Sequence, residues 1–106
     1  MISAEEAKRT SRENKIKIEA EKLERIIKDV EDRIWEAIDC GYGFIRINSE
    51  LSCFYEVVDH FNDLGYEALS VYVMNNKRTY IVWDEESWIK ELGFEGKTVL
   101  REGELK

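Results

Sequence analysis

Leu69-Ser70-Val71-Tyr72-Val73-Met74-Asn75-Asn76-Lys77-Arg78-Thr79-Tyr80-Ile81-Val82-Trp83 is the stretch that decides the fold. It holds two runs rich in β-branched and aromatic residues around a polar centre, the pattern of a β-hairpin. Asn75-Asn76-Lys77-Arg78 is the expected turn, because Asn tolerates left-handed backbone angles. The first strand then runs from Tyr66 to Met74 and the second from Thr79 to Trp83. With Met74 opposite Thr79, Tyr72 meets Ile81 and Ser70 meets Trp83. One face carries Leu69, Val71, Val73, Tyr80 and Val82 and is the expected main core. The other carries Tyr66, Ala68, Ser70, Tyr72, Met74, Thr79, Ile81 and Trp83. It is too apolar to be left to water, so the first helix, a second subunit or a ligand must cover it.

Upstream of the hairpin, Phe44-Ile45-Arg46-Ile47-Asn48 reads as a short strand after Tyr42-Gly43. Asn48 or Ser49 then caps an amphipathic helix with apolar positions at Leu51, Phe54, Tyr55, Val58, Phe61 and Leu64, closed by Gly65. Residues 3–40 read as one long helix. Ser3 and Glu6 form a capping-box pattern, Glu5 and Glu6 suit the helix dipole, and no Gly or Pro intervenes before Gly41, which fits a left-handed stop. Ile16, Ala20, Leu23, Ile27, Val30, Ile34 and Ala37 recur at alternating spacings of four and three, a narrow heptad seam. Ile26 and Ile38 widen it, and Trp35 sits off it. A helix of about 38 residues is about 57 Å long, more than the remaining chain can cover. The part up to Lys15 is therefore frayed or packed on something outside the subunit. The seam at Ile16, Ala20, Leu23, Ile27, Val30 and Ile34 serves either packing on the sheet or self-association.

Downstream, Asp84 is a good N-cap for a short helix from Glu85 to Leu92, closed by Gly93. Thr98-Val99-Leu100 can add an edge strand, and the last residues read as loose. The expected architecture is α+β. A long N-terminal helix packs on a small three-stranded antiparallel-type sheet, with one further amphipathic helix and a short C-terminal helix. The 106 residues suit a single domain: the long helix at 1–40, the α+β body at 42–94 and a tail at 95–106.

Composition narrows the function. The chain holds no proline, is 37% charged and carries a net charge of -7. That balance argues against generic nucleic-acid binding, which relies on neutralising phosphates. The charge is uneven: Lys8, Arg9, Arg12, Lys15 and Lys17 stand against Glu13 alone, while acids dominate from Asp84 onward. No apolar run reaches the roughly 18 residues of a membrane span, the start lacks the layout of a signal peptide, and the cysteines have no metal-like spacing. A cytoplasmic protein with reduced thiols is expected.

No catalytic constellation stands out. The glycines are scattered, and Gly41-x-Gly43 precedes a strand rather than a helix, the wrong setting for a dinucleotide loop. Cys53 lies about 10.5 Å along its helix from His60, the only histidine, so the two cannot form a nucleophile–base pair. Both cysteines read as small buried residues. Glu56, His60 and Asp63 share a helix face, but it is the polar one, so neither a metal nor a cofactor is expected. A binding role suits the residues better. Tyr66, Tyr72 and Trp83 offer flat faces for a base, and Arg12, Arg46 and Arg78 offer charge for phosphates.

The order of landmarks resembles small accessory proteins of tailed bacteriophages. It runs Ser3-Ala4-Glu5-Glu6-Ala7, Ala37-Ile38-x-x-Gly41, Ile45-x-Ile47, the Leu51-to-Leu64 helix, Gly65-Tyr66 and Ile81-Val82-Trp83. The resemblance covers about residues 1–83 and transfers no functional residue. It implies a non-enzymatic protein of the host cytoplasm that counters host defence by binding a host protein. A second reading is an oligomer that sequesters a small (cyclic) nucleotide signal, and a third is a structural or assembly protein. Self-association into a homodimer or higher oligomer accompanies all three.

Overall fold

The fold comes from a computed structural model that describes residues 1–48 and 53–102. The chain is α+β, in the order α1 (Ala4–Asp39), β1 (Phe44–Ile47), α2 (Phe54–Asp63), β2 (Glu67–Val73), β3 (Asn76–Val82), α3 (Glu85–Leu92) and β4 (Leu100–Arg101). The strands form one antiparallel sheet in the order β1-β3-β2-β4. The sheet thus has four strands rather than the expected three. The fourth comes from the tail, close to where Thr98-Val99-Leu100 could add an edge strand: Leu100 pairs with Ser70 and Arg101 with Leu69.

Local chemistry sets the ends of α1. The Ser3 side chain accepts a bond from the Glu6 amide at 3.2 Å, satisfying one of the orphan donors of the first turn. At the other end, the Tyr42 amide donates to the Ala37 carbonyl and the Gly41 amide to that of Ile38. This Schellman closure needs a left-handed residue after the cap, and Gly41 supplies it at φ 83°.

The hairpin turns more tightly than expected. Met74 and Asn75 alone occupy the turn, with φ values of 52° and 69°. Two left-handed residues make a two-residue turn whose twist matches that of the strands. Val73 therefore pairs with Asn76, Leu69 with Tyr80 and Glu67 with Val82, so the expected Tyr72–Ile81 and Ser70–Trp83 pairs are wrong. The slip is an even number of residues, so each side chain keeps its face.

Both faces of the sheet are covered by the chain itself. Leu69, Val71, Tyr80 and Val82 pack under α3, with Trp88 and Phe94 at the centre. Tyr80, Trp88 and Phe94 form an edge-to-face triad with ring centroids 5.3 to 6.0 Å apart. The opposite face, with Ala68, Ile81 and the β1 residues Ile45 and Ile47, packs under α2 and the C-terminal half of α1. This second face holds the larger apolar cluster, so the face expected to be the main core holds the smaller one. Tyr72 and Met74 stay exposed on it, at the end beyond the reach of the helices.

The α2 helix is rotated relative to expectation. It buries Phe54, Val57, Val58 and Phe61, while Tyr55 and Leu64 face solvent. Phe54, Val57, Val58 and Phe61 follow the three-one-three spacing of one helix face; Tyr55 lies about 100° off it, and Leu64 already sits at the C-cap. Ser49 and Leu51 lie outside the described residues, as do residues 50, 52 and 103–106. Among the described residues no helix is long and apolar enough to cross a membrane.

Candidate functional site

The α1 seam divides near Leu23. Val30 and Ile34 are 3% exposed, and Leu23, Ile26, Ile27 and Ala37 pack around them on α2 and the sheet. Val30 and Ile34, expected at an oligomer interface, are thus committed to the core of their own chain, and Leu23 and Ile27 are largely so. Ala20 is exposed at the edge of the body, bordering a concavity with Cys53 and Glu56, and Ile16 continues the stripe beyond it. The segment from Ala4 to Lys22 is an arm of about 28 Å projecting from the body. It accounts for the molecule's long axis of 63 Å against 31 and 23 Å across.

A cleft of about 640 Å³ opens where the C-terminal part of α1 meets the end of β1 and the start of β3. Arg33 from α1, Arg46 from β1, and Lys77 and Arg78 from β3 line it, with Asn48 and Asn76 beside them, and the Lys77 ammonium is turned away to Glu102. Strand order explains the meeting. Arg46 pairs with Tyr80 and Ile47 with Thr79, so Arg78 lies diagonally across from Arg46 on the same face. Arg33 is fixed from the other side, its guanidinium Nη2 donating to the Arg46 carbonyl oxygen. That bond satisfies an acceptor on the edge strand. Lys77 Nζ forms an ion pair with Glu102. Among the described residues no carboxylate lies within ion-pair distance of Arg33, Arg46 or Arg78. In a chain of net charge -7, that is a concentrated positive field at one cleft.

The structure brings together some of the expected ligand residues and separates others. Arg46 and Arg78 share the cleft. Tyr72 is exposed on β2 directly opposite Lys77, on the other face of the sheet from Arg46 and Arg78 and outside the cleft lining. Tyr66 and Trp83 are elsewhere, packed edge to face at 5.9 Å with Phe61 on the flank of the core. Arg12 sits on the arm, about 31 Å along the helix from Arg33. Arg33 was not foreseen: it sits among Asp29, Asp32 and Glu36, and nothing in that acidic stretch marks the side facing β1.

A second concavity of about 170 Å³ lies between the C-terminal ends of α1 and α2. Ile34 and Phe61 form its floor, and Trp35, Ile38, Leu64 and Tyr66 its walls. Trp35 is 65% exposed and Leu64 60%, an unusual display of apolar surface. Glu31 lines the groove, 3.8 Å from His60 Nε2, and Asp32, Glu36, Asp39 and Asp63 are exposed around it.

Among the described residues no group of His, Cys, Asp and Glu is arranged to hold a metal ion. Cys40 is exposed and Cys53 half-buried, so the expectation of two buried thiols fails, because Cys40 is the cap that follows the last turn of α1. Compared with known protein families, curated proteins and solved structures, the chain matches none of them.

Proposed function

We propose that this is a non-enzymatic binding protein whose basic cleft takes a small ligand bearing at least two phosphate groups, a nucleotide in the first instance. The observation that carries this reading is the meeting of Arg33, Arg46 and Arg78, from three separate elements, at one cleft, while the fourth lining cation, Lys77, is held by Glu102. Guanidinium groups match phosphate oxygens in a planar, bidentate fashion, and two or more of them favour a ligand with several anionic oxygens. Tyr72, exposed across from Lys77 on the other sheet face, is an aromatic surface that a base reaches only around the hairpin. Set in the phage context that the landmark order implies, such a protein sequesters a nucleotide signal of the host in the host cytoplasm.

Titration calorimetry and thermal shift with pyrophosphate, ATP and a cyclic dinucleotide test this reading. A ligand at 100 times its dissociation constant adds about 2.7 kcal/mol of stability. The paired change Arg46→Ala and Arg78→Ala should remove the response. A flat response to all three ligands in the unaltered protein overturns the proposal.

A second reading, a protein partner, is favoured by the apolar groove at Trp35. Exposed Trp residues ringed by charge are typical anchors of protein interfaces. In the phage context that partner is a host protein held by the acidic surface.

A further inference from the structure

We infer that the Trp35 groove is the receptor for the N-terminal arm of a second copy of this chain. The two surfaces are complementary in both hydrophobicity and charge. The arm presents exposed Ile16 among Lys8, Arg9, Arg12, Lys15 and Lys17, with Glu13 the one acid of that stretch; Ile18 lies about 200° round the helix, on the far face. The groove presents exposed Trp35, Ile38 and Leu64, rimmed by Glu31, Glu36 and Asp39. Among the described residues, neither surface is covered by its own chain. A chain cannot satisfy itself, because arm and groove belong to one continuous helix, with Ile16 about 29 Å along the axis from Trp35.

The simpler alternative, two arms zipped along their own seam, is opposed by charge. With Ile16 and Leu23 at d and Ala20 at a, the flanking positions are Arg12, Lys17, Glu19 and Glu24. A parallel pair sets Arg12 against Lys17 of the partner subunit and Glu19 against Glu24 of the partner subunit. An antiparallel pair that layers Ile16 on Ala20, the two uncovered seam positions, sets Lys17 against Lys17 of the partner subunit and Glu19 against Glu19 of the partner subunit; only the register that layers Ala20 on the partly covered Leu23 sets Lys17 against Glu24 of the partner subunit. Like charges so placed destabilise either arrangement. The seam left free is also only Ile16 and Ala20, with Leu23 partly covered. Docking the arm on the acidic-rimmed groove pairs opposite charges instead and covers the apolar surface of both. Such a contact joins unlike surfaces, so it closes when two copies exchange arms and otherwise extends into a chain.

Sedimentation of the full chain across a micromolar concentration series tests the inference. The unaltered protein should associate, and Trp35→Ala, at an exposed position, should stay folded by circular dichroism and fail to associate. Lys15→Glu with Lys17→Glu, and separately Glu36→Lys with Asp39→Lys, should each weaken association about tenfold, a loss of about 1.4 kcal/mol. All four changes in one chain should restore it. A monomer at every concentration overturns the inference, as does association that survives Trp35→Ala or is not restored by the fourfold swap. These readouts need no nucleotide, so they stand or fall independently of the basic cleft.

Discussion

The Ser70 hydroxyl donates to a carboxylate oxygen of Glu102 at 2.8 Å and thereby ties the end of the chain to the middle of the sheet. Ser70 has a single hydroxyl proton, so its other short bond, 2.8 Å to Thr79 Oγ1, must be donated by Thr79. Thr79, Ser70 and Glu102 thus form a directed relay in which each bond polarises the next. Lys77 completes it from the hairpin, and Asn62 of α2 holds the Glu102 carbonyl at 3.2 Å. Ser70 and Thr79 are 0% and 1% exposed, so without these bonds their hydroxyls would be buried unpaired.

The relay predicts a pH dependence. Burial pushes the Glu102 carboxyl up, but the bonds from Lys77 and Ser70 and the charge of Lys77 outweigh it and leave the group below its ordinary value. A carboxylate lowered in the folded state contributes stability that is fully present above its unfolded pKa. That contribution is lost as pH falls through the folded value. Glu102→Gln should therefore cost about 1 kcal/mol at neutral pH, the worth of a typical hydrogen bond. The difference should vanish in acid, once the unaltered carboxyl is itself protonated. Urea denaturation of both proteins at neutral and acid pH checks this, and a difference that persists in acid contradicts it.

Gly43 is predicted to be irreplaceable for a steric reason. A Cβ there would overlap the Cβ of Asp84 and lie 3.3 Å from its Cα. The Gly43 carbonyl also accepts from the Trp83 and Asp84 amides, at 2.9 and 3.0 Å. Asp84 in turn caps α3, accepting from the Ser87 amide at 3.1 Å. Gly43→Ala must push the start of β1 away from the α3 cap, at about 1–3 kcal/mol of stability. The chemical denaturation midpoint measures it, and a midpoint unchanged from the parent would show that the loop yields freely.

The turn predicts a gain. Met74 adopts a left-handed conformation that disfavours a long side chain, and at 89% exposed it gains no packing in return. Asn followed by Gly is the preferred pair for such a turn. Met74→Asn with Asn75→Gly should stabilise the fold by about 0.5–1 kcal/mol, seen as a higher denaturation midpoint with an unchanged slope.

The same turn shows what was legible in the sequence. The four main elements up to the hairpin, the Asp84 cap and the Gly41 stop follow from local patterns, because caps, breakers and periodicity act within a few residues. The register did not follow, because Asn75 and Asn76 both tolerate left-handed angles and nothing in the sequence marks Met74 as a turn residue. Even so, side-chain alternation preserved the faces. At the site, Arg46 and Arg78 were legible as isolated cations on strands. Arg33 was not, because its place in the cleft depends on how α1 crosses β1, a long-range fact. Tyr66 and Trp83 were misplaced for the converse reason: an aromatic on a strand face looks the same in sequence whether it flanks a core or an open cleft.

The arm of α1 predicts a boundary in local stability. Short of a partner, the helix from Ala4 to Lys22 is exposed almost throughout among the described residues, meeting α2 only where Glu19, Ala20 and Lys22 border Cys53 and Glu56, and helices in water draw most of their stability from tertiary packing. Beyond Leu23 the same helix is clamped between α2 and the sheet by Val30 and Ile34. In dilute solution, amides before Leu23 should exchange with deuterium far faster than those of residues 26–37, although both lie in one helix. Ser3→Ala removes the cap worth about 1 kcal/mol to the helix. It should speed exchange in the arm while leaving the global denaturation midpoint unchanged, because the arm is not part of the cooperative core. Raising the protein concentration should then slow exchange in the arm of the unaltered protein and leave Trp35→Ala unaffected. Uniform protection along α1 in dilute solution would mean that something within the chain already holds the arm.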